Sequence, residues 1–326
     1  LALEEFDDDP DRSGEKILIF TDARPVRECF TDRCPTFATL SQTAVQEAIV
    51  GIYGPQGTGQ VRAEDITSLS FGQLKTFLAA APTGDGTESE VGRLLNEADW
   101  IILASQDLNP VKGPNSDAIE LFLNQGVSLV PDAKLVVLAF NAPYYLDTTE
   151  VSKLTLYLGA YSKTEPFVQA AVRALFREMP AEGASPVNVA GINYDLLQQL
   201  SPDPDQTIPL AVMDPASYSG SPLGPPPVSV RLQAGPILDY NGRVVPDGTE
   251  VAFSAQYRDG TAYLPPRTAA THDGLAVVTM TLTVPGFVQL AAESGAAFRS
   301  QAIDLTILAP PTPTATATPT PPLPTS

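Results

Sequence analysis

Short, almost purely apolar runs alternate in the first part of this chain with segments that are apolar on one side only. The clearest runs are KILIF (Lys16 to Phe20), WIILAS (Trp100 to Ser105) and KLVVLAF (Lys134 to Phe140). A strand that is apolar on both faces belongs inside a sheet that is covered on both sides, and the segments between the runs have helical spacing. The pattern predicts a doubly wound, flavodoxin-like α/β domain with a mostly parallel sheet over residues 16–202.

Polar turns follow three of these strands directly. They are Thr21-Asp22-Ala23-Arg24, Ser105-Gln106-Asp107 and Asn141-Ala142-Pro143-Tyr144. In an open α/β sheet, ligands bind at the carboxyl ends of the strands. We therefore expect Asp22, Arg24, Asn141 and Tyr144 to lie at the edge of the domain that faces a substrate or a partner.

The period of the sequence changes after a stretch rich in proline, glycine and serine at 203–227, which we interpret as a linker. Beyond it, apolar and polar residues alternate, first from Val228 and again from Val251. Asn-Gly and Asp-Gly pairs separate the alternating segments, as in hairpin turns. The pattern predicts an all-β, immunoglobulin-like sandwich over residues 228–308.

Both ends of the chain have the composition of tethers. Residues 1–15 are acidic and show no period, and residues 309–326 consist almost entirely of Pro, Thr and Ala. The Pro-rich composition of residues 309–326 favours an extended stalk, with an interdomain linker as the alternative. Because the sequence begins with Leu1 and not with methionine, we expect it to be a fragment of a longer precursor, with any export signal upstream.

The charge of the chain restricts its partners. The formal net charge is −19, which argues against nucleic acid and against binding of anionic lipid through a basic patch. No apolar run approaches the roughly 18 residues of a membrane span. We expect an extracellular or cell-surface protein, with neither a nucleic-acid partner nor a membrane span within this chain.

The inventory of reactive side chains excludes most hydrolytic sites. His272 is the only histidine and falls in a turn of the predicted β domain, so the α/β domain has no Ser-His-Asp or Cys-His site. A site of paired carboxylates is still possible, because Asp22, Asp107 and Asp147 lie near strand ends. The alternative is that each of them is a solvated surface residue. Their separation would decide a glycosidase mechanism.

No metal or cofactor is expected. Metal binding by Cys29 and Cys34 would need more ligands, and no histidine lies nearby; the turn after the first strand lacks the glycines of a dinucleotide-binding loop. Flavin binding at the sheet edge stays an alternative, by analogy with flavodoxin-like proteins.

The two cysteines, Cys29 and Cys34, lie in one loop, ECFTDRCP, directly after the first strand. Their spacing permits a small local disulfide, and a secreted protein favours its formation. The sequence predicts this disulfide, with two inert thiols as the alternative.

The stretch from Leu154 to Val189 combines an apolar run, a helix capped by Thr164 and stopped by Pro180, and a second short strand. One face of this helix is expected to be buried. That face comprises Phe167, Val168, Ala171, Val172, Leu175 and Phe176. The segment AYSKTEP…AVRALFREMP resembles the C-terminal α/β domain of bacterial glycoside hydrolase family 3, in particular its β-N-acetylhexosaminidase branch.

Two further segments carry the same resemblance, ADWIILAS and LVVLAFNAPYYLD. The latter is similar to the family's strand and Asn-Pro-Tyr loop with an alanine inserted, so that Asn141, Pro143 and Tyr144 occupy the loop. In that branch the catalytic residues lie on a barrel that precedes the α/β domain, and no residue here corresponds to them. No segment matches the acid glutamate of the glucosidase branch either.

The resemblance implies the non-catalytic C-terminal part of an exported enzyme that cleaves terminal β-linked N-acetylhexosamine by a retaining route. Its partner would be the N-terminal catalytic barrel of the same precursor, with glycan or cell-wall fragments as candidate ligands. Asp22, Arg24, Asn141 and Tyr144 would then face the substrate or the barrel. This chain should be inactive alone.

The second half of the chain leaves a different function open. The segments VSVRLQAGPILDYNGRVVPDGTEVAFSA and THDGLAVVTMTL resemble the bacterial immunoglobulin-like modules of invasin-type surface proteins. Together with the Pro/Thr-rich tail, they fit a cell-surface interaction or adhesion module that has no enzymatic partner.

Overall fold

The computed structural model describes residues 14–26, 37–80, 89–213, 222–258, 260 and 262–312. The chain divides into two compact units, Leu1–Leu196 and Leu197–Ser326. The boundary lies a few residues before position 202, where the sequence predicts the end of the α/β domain. Each unit has a hydrophobic interior of its own.

The first unit is built on a parallel sheet. Its strands are β1 (Ile17–Thr21), β4 (Ile66–Ser70), β5 (Trp100–Ser105), β6 (Lys134–Ala139) and β7 (Leu156–Gly159). They lie in the order β4-β1-β5-β6-β7, and every neighbouring pair is parallel. Two short strands, β2 (Pro25–Val26) and β3 (Phe37–Ala38), pair only with each other. Counted along the chain, the order of the five is 2-1-3-4-5, as in flavodoxin, so the predicted fold class is confirmed.

Helices cover both faces of this sheet. They are α1 (Ala44–Tyr53), α2 (Phe71–Ala80), α3 (Glu90–Glu97), α4 (Ala118–Leu121) with a π-helical turn over Phe122–Gly126, α5 (Thr148–Val151) and α6 (Glu165–Leu175). A further short helix, α7 (Leu196–Gln199), lies at the boundary between the units and has no buried residue. Ile17 and Ile19 pack with α1 and α6, whereas Leu18 and Phe20 pack with α2, α3 and α4 on the other face. The alternation of strand side chains therefore explains why the runs are apolar throughout.

Helix α6 ends earlier than its sequence predicts. Arg177 has a φ of 58°, and its N–H donates to the Ala174 carbonyl, while the Glu178 N–H donates to the Arg173 carbonyl. These two bonds form a Schellman motif, which stops the helix before Pro180 is reached.

Two local expectations for this region are wrong. Phe167 is 48% exposed, because the buried stripe runs through Val168, Ala171, Val172 and Leu175, and Phe167 lies about 100° away around the helix. The expected short strand near Val189 is only an isolated bridge to Tyr194.

The second unit consists of two antiparallel sheets. Its strands are β8 (Leu210–Val212), β9 (Val228–Ala234), β10 (Glu250–Tyr257), β11 (Tyr263–Ala270), β12 (Ala276–Leu282), β13 (Gly286–Glu293) and β14 (Ile303–Ile307). One sheet has the order β11-β10-β13-β14 and the other β12-β9-β8. Alternate residues of both sheets, such as Leu232 and Phe253, share one core. This is the additional β domain that the alternating pattern predicts.

The segment 203–227 contains more structure than a linker needs. Strand β8 lies within it and pairs with β9, and Ile208, Leu210 and Leu223 are buried in the core of the sandwich. Strand β8 therefore completes the smaller sheet, and the apolar side chains of this Pro-rich stretch fill part of the shared core.

Several expectations concern residues that the structure does not describe. Cys29 and Cys34 lie outside the described residues, as do most of the acidic segment 1–15 and of the stalk 309–326. Within the described ranges, no helix is both long and apolar enough to span a bilayer.

Candidate functional site at the carboxyl edge of the parallel sheet

The carboxyl ends of β1 and β5 form the point at which the crossover helices diverge. Helix α1 leaves β1 toward one face of the sheet, and the helices after β5 pack on the opposite face. Divergence of this kind opens a crevice between the two strands, which is the usual ligand site of such folds. The turns that contain Asp22, Arg24 and Asp107 lie here.

Arg24 fills this crevice and is held by two carboxylates. Its Nε donates to both carboxylate oxygens of Asp22 at 3.0 Å, and Nη2 also bonds Asp22. Nη1 lies 2.7 Å from Oδ1 of Asp107, and Nη2 donates to the Asp107 backbone carbonyl at 3.1 Å. Asp22 and Arg24 are both buried. The structure therefore brings two of the predicted site residues together as an ion pair.

The electrostatics of the cluster follow from its burial. Burial by itself lowers the pKa of the Arg24 guanidinium, but the bonds to Asp22 and the weaker ones to Asp107 outweigh it, so the pKa is raised. Arg24 stays charged at every relevant pH. With two carboxylates around one guanidinium, the cluster carries a net charge of about −1 when all three groups are ionised.

The loop after β5 closes over Arg24. A Cβ atom added to Gly113 would lie 2.7 Å from both Cζ and Nε of Arg24, so only glycine lets the backbone approach this closely. The Gly113 N–H donates to the Asn109 carbonyl, and the Asn109 N–H donates to Oγ of Ser116. These bonds fix the loop above the guanidinium.

Gln106 connects the ion cluster to the neighbouring surface. Its Nε2 donates to the Asp22 backbone carbonyl at 2.7 Å. Its Oε1 accepts from the Thr39 hydroxyl at 3.2 Å and lies 3.5 Å from the Lys163 ammonium. The side chain is buried, so it holds the loop that contains Thr39 and the start of α6 near the crevice.

Three buried hydroxyls lie together beside the cluster and have no hydrogen-bond partner outside their own group among the described residues. They belong to Ser105, Tyr145 and Tyr157. Burial raises the pKa of Tyr145, and burial together with the nearby Tyr145 raises that of Tyr157. Both phenols therefore stay protonated and can donate a hydrogen bond. Buried polar groups are nearly always satisfied, so these hydroxyls are suited to hold water or a polar group of a ligand.

Asn141 and Tyr144 follow β6 at the same edge, one strand beyond β5. Tyr144 is 61% exposed, and Asn141 is partly buried. Among the described contacts, no hydrogen bond or ion pair joins either of them to Arg24 or Asp22. Tyr161, after β7, has a φ of 59°, and its ring lies against Gly159. Non-glycine residues seldom adopt this conformation, which persists where packing enforces it.

The carboxylates of this edge are structural in character. Asp22 and Asp107 both bind Arg24, and Asp147 caps α5, where its Oδ1 accepts the Glu150 N–H at 2.8 Å and Glu150 returns a bond. The edge also does not fit flavin mononucleotide, because two carboxylates would repel its phosphate and Arg24 already fills the crevice. All three carboxylates named here are therefore engaged with groups of the chain itself.

Sequence reasoning missed several residues of this edge. Gly113, Tyr157 and Lys163 lie far along the chain from Asp22, and no local pattern marks them. Tyr145 directly follows a turn residue that the sequence does mark, and Gln106 lies within a marked turn, where nothing local distinguishes its amide. Only the pairing of strands brings these residues to one place.

No protein-family model matches the chain, and no curated protein matches it. β-Glucosidase 3B from Thermotoga neapolitana in complex with glucose aligns over 90% of this chain and 50% of its own, with 12% identity and a TM-score of 0.33. The β-glucosidase from Listeria innocua in complex with isofagomine aligns over 90% of this chain and 46% of its own, with 11% identity and a TM-score of 0.26. A GH3 β-glucosidase from Bifidobacterium adolescentis aligns over 90% of this chain and 49% of its own, with 10% identity and a TM-score of 0.28.

The chain thus spans about half the length of the solved structures it matches. Because these TM-scores lie below 0.5, the function of the chain has to follow from its own residues.

Proposed function

We propose that this chain is the non-catalytic C-terminal part of an exported family 3 glycoside hydrolase of the β-N-acetylhexosaminidase branch. Its α/β domain packs on and completes a catalytic barrel of the same precursor. The observation that carries the proposal is that carboxylates at the carboxyl edge are held in an ion cluster while an aromatic side chain of the same edge is exposed. Asp22 and Asp107 are both paired with Arg24 in the crevice, while the Asn141–Tyr144 loop, one strand further along the same edge, presents an exposed phenol.

The carboxylates of the edge do not have the arrangement of a glycosidase. A carboxylate pair that cleaves a glycosidic bond needs one protonated acid and one free carboxylate on opposite sides of the substrate. Asp22 and Asp107 instead share one guanidinium between them, so neither stands opposite the other across an open site. The only histidine is His272 in the β domain, so no imidazole of the α/β domain can serve as an acid or base.

The aromatic side chains of the edge support a role in recognition. Tyr144 and Tyr161 both have exposed ring surface there, and aromatic rings with a polar tip are typical of surfaces that contact a partner or a sugar. The segments LVVLAFNAPYYLD and AVRALFREMP, which carry the family resemblance, form β6 with its loop and helix α6. The resemblance therefore falls on the elements that build this edge and its flank.

The β domain and the Pro/Thr-rich tail are proposed to hold the enzyme at the cell surface. The immunoglobulin-like module would act as a spacer, with an extracellular or surface location and glycan or cell-wall fragments as ligands. These parts of the proposal rest on the alternating sandwich sequence and on the composition of the tail.

The test begins with the coding sequence upstream of Leu1. We expect it to encode a barrel, and the full precursor to cleave an aryl β-N-acetylglucosaminide faster than the corresponding aryl β-glucoside. The present chain should show no turnover of either. Turnover by this chain alone would contradict the non-catalytic role, and a faster reaction with the glucoside would contradict the hexosaminidase branch.

A variant of the precursor tests the edge directly. Tyr144→Ala should raise KM or lower kcat at least tenfold, because it removes the exposed phenol of the edge. The matched control is Tyr263→Ala, which removes an exposed tyrosine of the β domain and should leave both constants unchanged. If the upstream sequence encodes further β modules in place of a barrel, the chain is an adhesion module.

A further inference from the structure

A second, unassigned feature of the α/β unit is a long groove between α1 and α6. It consists of two cavities of about 530 Å³ and 540 Å³, which share Gly51 and Ile52. They therefore lie end to end along the line where the two helices meet, which we call the seam groove. Its length is comparable to that of α1, about 15 Å for ten residues.

One end of the seam groove has both polar and apolar lining. Glu47, Lys163 and Gln169 line it with carboxylate, ammonium and amide groups, and Ala44 and Ala48 add apolar surface. Glu47 accepts a bond from Thr43, and Gln169 donates to Glu165 at 3.1 Å, so these side chains are pre-positioned. Carboxylate oxygens accept more than one hydrogen bond, and an amide both donates and accepts.

The other end is aromatic at its base and neutral in charge. Tyr53 stacks on Phe176 with a centroid distance of 4.1 Å, and the Tyr53 hydroxyl donates to Glu178 at 2.5 Å. Arg173 forms an ion pair with the same carboxylate. Both ends of the groove therefore combine apolar surface with fixed polar groups.

Gly51 gives the groove its openness. It lies inside α1, where glycine is less favourable than any other residue except proline. Its φ lies outside the left-handed region, and no described atom lies within 4 Å of a Cβ built on it. Close packing therefore does not explain this glycine, whereas an occupant of the groove does, because any side chain at position 51 would enter the space that both cavities share.

We propose that the seam groove binds a neutral, linear glycan. Its elongated shape suits a chain polymer, its apolar surface suits the flat C–H faces of pyranose rings, and its carboxylate, amide and hydroxyl groups suit their hydroxyls. The carboxylates in its walls disfavour a phosphorylated or sulfated ligand. The proposal goes beyond the proposed function, because it concerns a lateral surface of the domain and needs no barrel.

The test uses the full chain and soluble tetrasaccharides. Isothermal titration with chitotetraose and with cellotetraose should give saturable binding at micromolar to millimolar concentration for at least one of them. Gly51→Leu should weaken that binding at least tenfold, because the leucine fills the groove and is well tolerated in a helix. Gln169→Ala should also weaken it.

Matched variants control for nonspecific effects. Gly183→Leu places the same side chain at another exposed glycine with open space around it, and Gln125→Ala removes an exposed amide away from the groove. Both should bind like the unmodified chain. Failure of the unmodified chain to bind either sugar would overturn the proposal, and so would equal binding by the Gly51→Leu variant.

The same samples also test whether a second copy of the chain occupies the groove instead. Sedimentation showing a dimer that Gly51→Leu abolishes would assign the groove to a second copy of the chain, and the glycan proposal would be wrong. Since binding is measured without any barrel, its failure leaves the activity expected of the precursor untouched, and the reverse also holds.

Discussion

At the scale of single residues, Arg24 shows how a crevice can be closed by residues whose sequence pattern is also compatible with catalysis. Its guanidinium bonds Asp22, two residues away, and Asp107, which lies 83 residues further along the chain. A buried arginine is stable only with such partners, since a lone buried charge is strongly unfavourable. Gly113 completes the closure by leaving room for the guanidinium.

Gly113→Ala is predicted to destabilise the α/β unit by about 1–3 kcal/mol, because the new methyl group displaces either the loop or Arg24 from its carboxylates. Denaturant unfolding followed by the fluorescence of Trp100 measures this. Gly51→Ala is the matched control. No described atom lies near its Cβ, so alanine should be neutral or raise the free energy of unfolding by up to about 1 kcal/mol. Equal effects of the two variants would contradict the close approach at Arg24.

His272 supports a second residue-scale prediction. Its Nδ1 lies 2.7 Å from Oδ2 of Asp247, and both side chains are well exposed. The hydrogen bond and charge of Asp247 raise the pKa of His272, while the Asp273 N–H and then His272 lower the pKa of Asp247. As the only histidine of the chain, His272 gives a single imidazole titration by NMR.

Asp247→Asn should lower the pKa of His272 toward its usual value of about 6.5, and Asp273→Asn should lower it less, because Asp273 contributes only a weaker charge interaction. The stabilisation from His272 is complete below its unfolded-state pKa and is lost as the pH rises through the raised folded value. The stabilisation from Asp247 is complete above its unfolded-state pKa and is lost as the pH falls through the lowered folded value. A larger effect of Asp273→Asn would contradict this order.

At the scale of elements, helices α1 and α6 are joined at their ends by a polar contact as well as by packing. Tyr53 is the last residue of α1, and Glu178 follows the Schellman turn of α6. Burial, the bond to Glu178 and the charge of that carboxylate raise the pKa of Tyr53 to about 12. The early end of α6, which the sequence predicts only at Pro180, is what brings Glu178 to this place.

Tyr53→Phe should lower the free energy of unfolding by about 1 kcal/mol near neutral pH, the usual worth of one hydrogen bond. Because the folded-state pKa is raised, the contribution of the phenol is complete below about pH 10 and is lost as the pH rises through about 12. The difference in stability between the variant and the unmodified chain should therefore shrink across this interval. A difference that stays constant to pH 12 would contradict the proposed role of the hydroxyl.

Strand elements differ in how readily their sequence reveals them. The alternation in β9 and β10 is clear, whereas β11 contains Pro265 and Pro266 and shows no useful period. Proline is confined to strands at sheet edges, since it cannot donate a ladder hydrogen bond. The order β11-β10-β13-β14 places β11 at an edge, which explains why these prolines are tolerated.

At the scale of the whole molecule, the two units have separate cores. The only tryptophan, Trp100, lies in β5 of the α/β unit, and its fluorescence therefore reports on that unit. Leu232 and Ile102 are fully buried, one in each unit, which makes them a matched pair of probes.

Ile102→Ala should lower the stability measured by Trp100 by about 2–5 kcal/mol, the usual cost of truncating a buried aliphatic side chain. Leu232→Ala should lower the stability of the β unit by a similar amount, as measured by far-ultraviolet circular dichroism. It should leave the unfolding transition reported by Trp100 unchanged. If both variants shift the Trp100 transition equally, the units unfold together and the prediction is wrong.

The class of each unit follows from its pattern of apolar residues alone. Strands such as Ile17–Thr21 and Trp100–Ser105 are apolar on both faces, and only a sheet covered on both sides accommodates them. Alternation after Val228 likewise required a sandwich. The turns with Asp22, Arg24, Asn141 and Tyr144 could be assigned to the carboxyl edge, because strand direction alone places them there.

What those residues contact depends on how the elements pack in three dimensions. The bonds of Arg24 to Asp107, the approach of Gly113, the recruitment of β8 from a Pro-rich stretch and the exposure of Phe167 all depend on contacts between distant segments. Local periodicity fixes which face of an element is apolar, since it reflects repeat geometry of about 2 or 3.6 residues. It carries no information on which distant side chain meets another, and that depends on how strands pair and loops close over them.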